Sequence, residues 1–255
     1  MILEEFDEEK TAIINPEDIF SKIDGIPKVA ISCFAQTTFN RLVDELGAEI
    51  ISYVGCANGR IPLYKANYKN KEFVLYMSSV GAASNIGNLE GIIARGVEKF
   101  IIFGTCGVLD SSISDYSIVI PNCAVRDEGI SYHYAKSSDE IIVNKKYIDK
   151  FVDLLNQYNF NYKIGKVWTT DAFYRETAKK VERRKAMGCI CVDMECSAIF
   201  ALAEFRGVDV FQFFYAADNL DGIKWDKRSL SNKDALLEKD KIAFLALELA
   251  LNIYG

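Results

Sequence analysis

Apolar residues fall along this chain in two alternating patterns, short continuous runs and longer stretches spaced three and four apart. The continuous runs at 29–33, 73–80, 100–103, 117–125, 167–170, 189–192 and 208–215 predict buried strands. The amphipathic stretches at 39–46, 85–95, 145–158, 177–185 and 194–205 predict helices between them, and a long terminal helix is expected from about residue 235 to 253. Strands alternating with helices predict an α/β domain, a mostly parallel sheet with helices on both faces. With only four prolines and no Ser/Gly-rich linker, nothing divides the chain, so its 255 residues are expected to form one large domain.

Composition narrows the function classes. Half the residues are hydrophobic and 26% are charged, an ordinary globular balance with a core available. The net charge of −6 gives no basic footprint for nucleic acid or an anionic membrane. The basic stretch 179–185 has helical spacing and reads as a solvated face. The first nine residues are acidic where a signal peptide is basic and then apolar, and no apolar run reaches membrane-spanning length, so a cytoplasmic protein is expected. Seven cysteines, most within apolar runs, read as reduced thiols that pack as small hydrophobes. With His133 the single histidine, no Cys/His set completes a metal site, so neither a metal nor another cofactor is expected.

Candidate chemistry gathers where predicted strands end, the place where open α/β sheets hold ligands. At 192–202 an apolar strand passes into a small-residue helix through Asp193, Met194 and Glu195. Glu195 falls in the first helical turn, where the macrodipole favours the carboxylate and a ligand hydroxyl can donate to it. Asp193 and Glu195 read equally as an N-cap and a first-turn acid. Trp168 to Tyr174 and Phe213 to Asn219 are two further strand ends carrying acids and aromatics. The segments beginning at Gly81 and at Gly104 are expected as strand-to-loop transitions whose exposed N–H groups can cradle an anion, or simply as turns.

Taken together, Gly104-Thr105-Cys106-Gly107, the segment 126–134, Thr170-Asp171-Ala172-Phe173-Tyr174, Val192-Asp193-Met194-Glu195-Cys196-Ser197-Ala198 and Ala217-Asp218 resemble the nucleoside phosphorylase family, which includes bacterial purine nucleoside and uridine phosphorylases and related nucleosidases. The resemblance implies a single three-layer α/β/α domain around a twisted mixed β-sheet at 27–255, preceded by an N-terminal extension at 1–26. It also implies a homo-oligomer, a dimer or trimer of dimers, and cleavage of a ribosidic C1′–N bond.

Such cleavage builds positive charge on the sugar and negative charge on the departing base. By resemblance, Glu195 accepts from the ribose hydroxyls, Met194 packs on the sugar, Asp193 lies beside them, Phe173 stacks on the base and His133 lies near the ribose 5′ end. Asp218 matches the carboxyl that hydrogen-bonds or protonates purine N7, which favours a purine. To donate, it must have a raised pKa, from burial or from a neighbouring acid such as Asp221 or Glu195. Phosphate is the expected co-substrate, held by Gly81, Thr105 and Arg60 from a neighbouring subunit.

The sequence departs from the family at the nucleophile. The Gly-Asp-Pro-x-x-Arg loop is replaced by Ser32 to Arg41, and Ile102 stands where a second phosphate-binding arginine is expected. Arg41 or Arg126 is a candidate substitute. Phosphorolysis is the leading reading, hydrolysis with water in place of phosphate is its alternative, and a non-catalytic nucleoside-binding protein is the third.

Overall fold

A computed structural model describes residues 2–57, 59–222, 224–230 and 236–255. Its strands are β1 (Val29–Cys33), β2 (Glu49–Cys56), β3 (Gly59–Tyr68), β4 (Lys71–Met77), β5 (Lys99–Val108), β6 (Ile118–Asp127), β7 (Glu140–Ile142), β8 (Tyr162–Thr170), β9 (Cys189–Asp193) and β10 (Asp209–Asn219). Its helices are α1 (Pro16–Ile19), α2 (Gln36–Glu45), α3 (Ala82–Ala94), α4 (Ile148–Gln157), α5 (Ala178–Ala186), α6 (Cys196–Arg206) and α7 (Leu236–Tyr254). Residue 235, where the terminal helix was expected to begin, lies outside the described residues.

One mixed sheet runs β10-β6-β8-β9-β5-β1-β4-β3-β2, and β10 also pairs with β5. Five strands, β10, β6, β8, β9 and β5, therefore close on themselves, while the other half remains an open sheet. The sheet is less parallel than the hydrophobic runs alone predict. Parallel pairing joins β1 to β4 and β5, β5 to β10, and β8 to β6 and β9; the β2–β3–β4 meander and the β5–β9, β6–β7 and β6–β10 pairs are antiparallel.

The central strands are apolar on both faces because both are covered. On one side Ile31, Leu75, Phe103, Phe211 and Phe213 pack under α2, α4 and α7; on the other, Ala30, Val74, Tyr76 and Phe100 pack under α3 and α6. The Phe103 and Phe213 rings stack 5.6 Å apart across β5 and β10. Residues 16–26 lie along α3: Ile23 N–H donates to Arg95 O, Phe20 packs on Gly91, and Ile26 is buried.

The expected turn at 104–107 is strand. β5 continues through Gly104-Thr105-Cys106-Gly107 to Val108, paired with β10 along this stretch, while its other edge passes from β1, whose pairing ends at Phe103, to β9, whose pairing begins at Gly107. The glycines serve close approach instead. A Cβ at Gly104 would lie 2.7 Å from the Phe34 ring, and one at Gly107 would lie 2.4 Å from Leu220 and 3.3 Å from Asp218 Oδ1. Gly81, by contrast, lies in the connection after β4 and is the N-cap of α3, with φ of 94° that a side chain would strain. Among the described residues, no helix is long and apolar enough to cross a membrane, no metal-ligand cluster occurs, and the buried cysteines Cys33, Cys106, Cys123, Cys189, Cys191 and Cys196 form no disulfide.

Candidate active site

A cavity of about 680 Å³ opens where β5, β9 and β10 end, within the range of small-molecule sites. Its walls include Thr105, Phe173, Asp193, Met194, Glu195 and Asp218. Three strand ends and the loop after β8 thus converge on one space, although their residues lie far apart in sequence.

Asp193 ends β9 and holds the start of α6. Its Oδ2 accepts from the N–H groups of Glu195 (2.9 Å) and Cys196 (2.7 Å), and its Oδ1 accepts from the Thr169 hydroxyl (2.7 Å). Both oxygens are engaged within the protein, and the N-cap position itself is taken by Glu195, so Asp193 supports the helix start from two residues upstream. These bonds fix the start of α6 and with it the direction of Glu195. Glu195 is 6% exposed, and Gly81 N–H donates to its Oε1 at 2.5 Å. The contact ties the α3 entry to the α6 entry and uses the Gly81 amide that was expected to face phosphate.

Burial first, then the charge of Asp193, pushes the Glu195 carboxyl up to about 8; burial pushes Asp193 up to about 6. At the other end of the cavity Asp218 accepts from Trp225 Nε1–H at 2.7 Å. Its pKa is raised, by burial above all, while the Trp225 hydrogen bond and the Arg228 charge oppose the shift. Asp221, expected to be its acidic neighbour, instead pairs with Lys185 and accepts from Ser111 N–H. The neighbouring acid is Glu176, whose carboxyl is pushed up to about 7 by burial and then by Asp218. It was legible only as the residue three after Phe173, with no motif to mark it.

The four raised carboxyls, Glu195, Asp193, Asp218 and Glu176, fix a sign. Each favours the neutral form in the folded state, so its contribution to stability is full below the unfolded carboxyl pKa of about 4 and is lost as pH rises through the folded values. Paired acids with lowered values, such as Asp127 beside Trp168, Lys180 and Arg184, lose stability only at more acidic pH. The ligand-free protein is therefore expected to melt at a lower temperature at pH 8 than at pH 5.5 in constant salt; a Tm that is flat or rising over that window contradicts these environments.

Other expected site residues lie elsewhere. His133 is exposed on the 3-10 turn Ile130–His133 and does not line the cavity. Arg60, expected to serve a neighbouring subunit's site, is exposed on β3 opposite Gly55. Arg41 pairs with Asp240, and buried Arg126 spends its guanidinium on Ser131, Ser138 and the carbonyls of Ala135 and Lys136, so neither substitutes for the missing arginines. Ile102 is fully buried in β5, and the Phe34 ring lines the cavity against Gly104. The basic stretch 179–185 is not merely solvated: Lys180 and Arg184 hold Asp127 and lie over Trp168.

Residues 28–248 match the model of the phosphorylase superfamily. The chain is 23% identical to a guanosine phosphorylase of Halorubrum lacusprofundi, over 72% of this chain and 76% of that protein. It is 28% identical to a DeoD-type purine nucleoside phosphorylase of Buchnera aphidicola, over 78% and 85% respectively. A crystal structure of uridine phosphorylase from Vibrio fischeri superposes with a TM-score of 0.77 at 22% identity, covering 90% of this chain and 94% of that one, a likeness of fold. Phosphorylases of this family act without a cofactor and use phosphate as co-substrate.

Proposed function

The chain belongs to the phosphorylase superfamily, and from that premise we propose that it cleaves the N-glycosidic bond of a purine nucleoside, with phosphate as acceptor, giving free base and ribose 1-phosphate. One observation carries this reading: Glu195 and Asp218 line the same cavity, with Phe173 and Met194 in its walls. In this reading Glu195 accepts from the ribose hydroxyls, Met194 packs on the sugar and Phe173, 48% exposed at the mouth, stacks on the base. Asp218 meets purine N7, where a proton neutralises the leaving base as C1′–N9 breaks. Phosphate approaches the opposite face of the sugar, held by the Thr105 hydroxyl, the uncapped N-terminal turn of α3 beyond Gly81, and Arg60 from a neighbouring copy in a homo-oligomer.

Hydrolysis is the second reading, favoured by a specific observation: among the described residues, no Arg or Lys lines the cavity, and the Phe34 ring forms part of its wall. A bound dianion without guanidinium partners forgoes its strongest contacts. Incubating adenosine, inosine, guanosine and uridine with and without phosphate, and identifying the sugar product, separates the readings. Phosphate-dependent purine release with ribose 1-phosphate is expected. Free ribose at an unchanged rate without phosphate selects hydrolysis, and release of uracil alone overturns the purine assignment.

A further inference from the structure

Glu176 has no part in the machinery described so far, yet its placement is specific. It closes the 3-10 turn Phe173–Arg175, and its N–H donates to Phe173 O at 3.2 Å, so its position is coupled to the aromatic at the cavity mouth. It lines the same cavity as Asp218. The two carboxyls are furnished differently. Asp218 receives the Trp225 N–H and the field of Arg228, which favour its ionised form against the opposing charges of Asp115 and Asp226. Among the described residues no side chain donates to the Glu176 carboxyl, and the charged groups acting on it are Asp218 of β10, which opposes ionisation, and Lys180 of α5, which favours it. Two acids with environments that separate them in this way divide the proton work between them.

We propose that Glu176 is the proton-holding partner of Asp218: the two acids share one proton, stored on Glu176 in the empty site and delivered through Asp218 to N7 of the departing purine. The inference rests on the purine reading given above. When a base binds with its N7 lone pair toward Asp218, the shared proton moves to Asp218, which then donates to N7. As C1′–N9 breaks, its electron pair goes to the purine and the proton goes to N7; the acceptor oxygen bonds to C1′. The pair is left without its proton and regains one from water after the base departs. Asp218 touches the base, while Glu176 acts through it.

The test is Glu176→Gln, assayed on adenosine and on 7-methylguanosine, whose alkylated N7 already carries the positive charge that protonation would supply. Loss of a general acid's proton typically costs 10²–10⁴-fold, so kcat/KM for adenosine is expected to fall by roughly 10²-fold. Cleavage of 7-methylguanosine should fall far less. In the wild type the alkaline limb of the kcat/KM profile for adenosine should report loss of the proton held by the pair, and in the variant that limb should move toward acid. An equal loss on both nucleosides means that Glu176 only shapes the cavity, and overturns the proposal. So does an unchanged pH profile with a normal adenosine rate. A wild-type protein that releases no purine from any nucleoside removes the underlying reading first, an outcome distinct from purine cleavage that is indifferent to Glu176.

Discussion

Glu195→Gln is expected to fold normally and to lose roughly 10²–10³-fold in turnover, the scale seen when one preorganised polar contact to a transition state is removed. The folding half follows from geometry. An amide oxygen can still accept from Gly81 N–H, and the hydrogen bonds that hold the start of α6 go to Asp193, which the substitution leaves intact. The catalytic half follows from charge. The proposed role needs a carboxylate that accepts from sugar hydroxyls while positive charge grows on the ring, and a neutral amide supplies one fewer acceptor and no charge. Burial and Asp193 hold the free carboxyl up to about 8, so hydroxyl donors that favour the ionised form must lower that value on binding. Nucleoside binding near neutral pH should then release protons, and kcat/KM should rise with pH on the acid side of the profile. Isothermal titration in two buffers of different ionisation enthalpy measures the first, and steady-state kinetics the second. Near-normal turnover in a folded Gln variant removes Glu195 from the site.

The parts of this fold legible in sequence are those with a single dominant cause. Runs such as 29–33 and 189–192 are buried on both sides, and continuous hydrophobicity marks them. The β2–β3 hairpin was missed because its exposed positions dilute any apolar run: Ile50 and Tyr53 face solvent beside charged residues. The strand character of 104–107 was missed because glycine reads as a turn, whereas Gly104 and Gly107 admit Phe34 and Leu220 against the sheet. Closure of the sheet through β10 pairing with both β5 and β6 leaves no local signal, being a property of register between distant segments.

The site shows the same division. Asp193 and Glu195 were recognisable because a strand-to-helix junction restricts what an acid there can do. Glu176 was not, since its neighbour Asp218 lies on another strand. His133 was suggested by resemblance in sequence, and its position outside the cavity depends on tertiary placement that sequence order does not specify.

Asp218→Asn is expected to cost roughly 10²-fold in kcat for adenosine, the lower end of what general acids contribute, and much less for 7-methylguanosine. The side chain should keep its position, because Trp225 Nε1–H can donate to the amide oxygen as it does to Oδ2, and Gly107 leaves open the space beside Oδ1. An amide still donates a hydrogen bond to N7 but cannot release the proton, so ground-state binding should survive while the departing base stays uncompensated. KM is therefore expected to change little against the fall in kcat, the pattern of an interaction made mainly in the transition state. Neutralising position 218 also removes the charge that helps hold the Glu176 carboxyl up at about 7, so that carboxyl should titrate lower in the variant, observable by carbon-13 NMR of labelled glutamate. An adenosine rate equal to wild type sinks the acid role of Asp218. A fall in kcat with no movement of the Glu176 titration keeps that role but uncouples the two carboxyls.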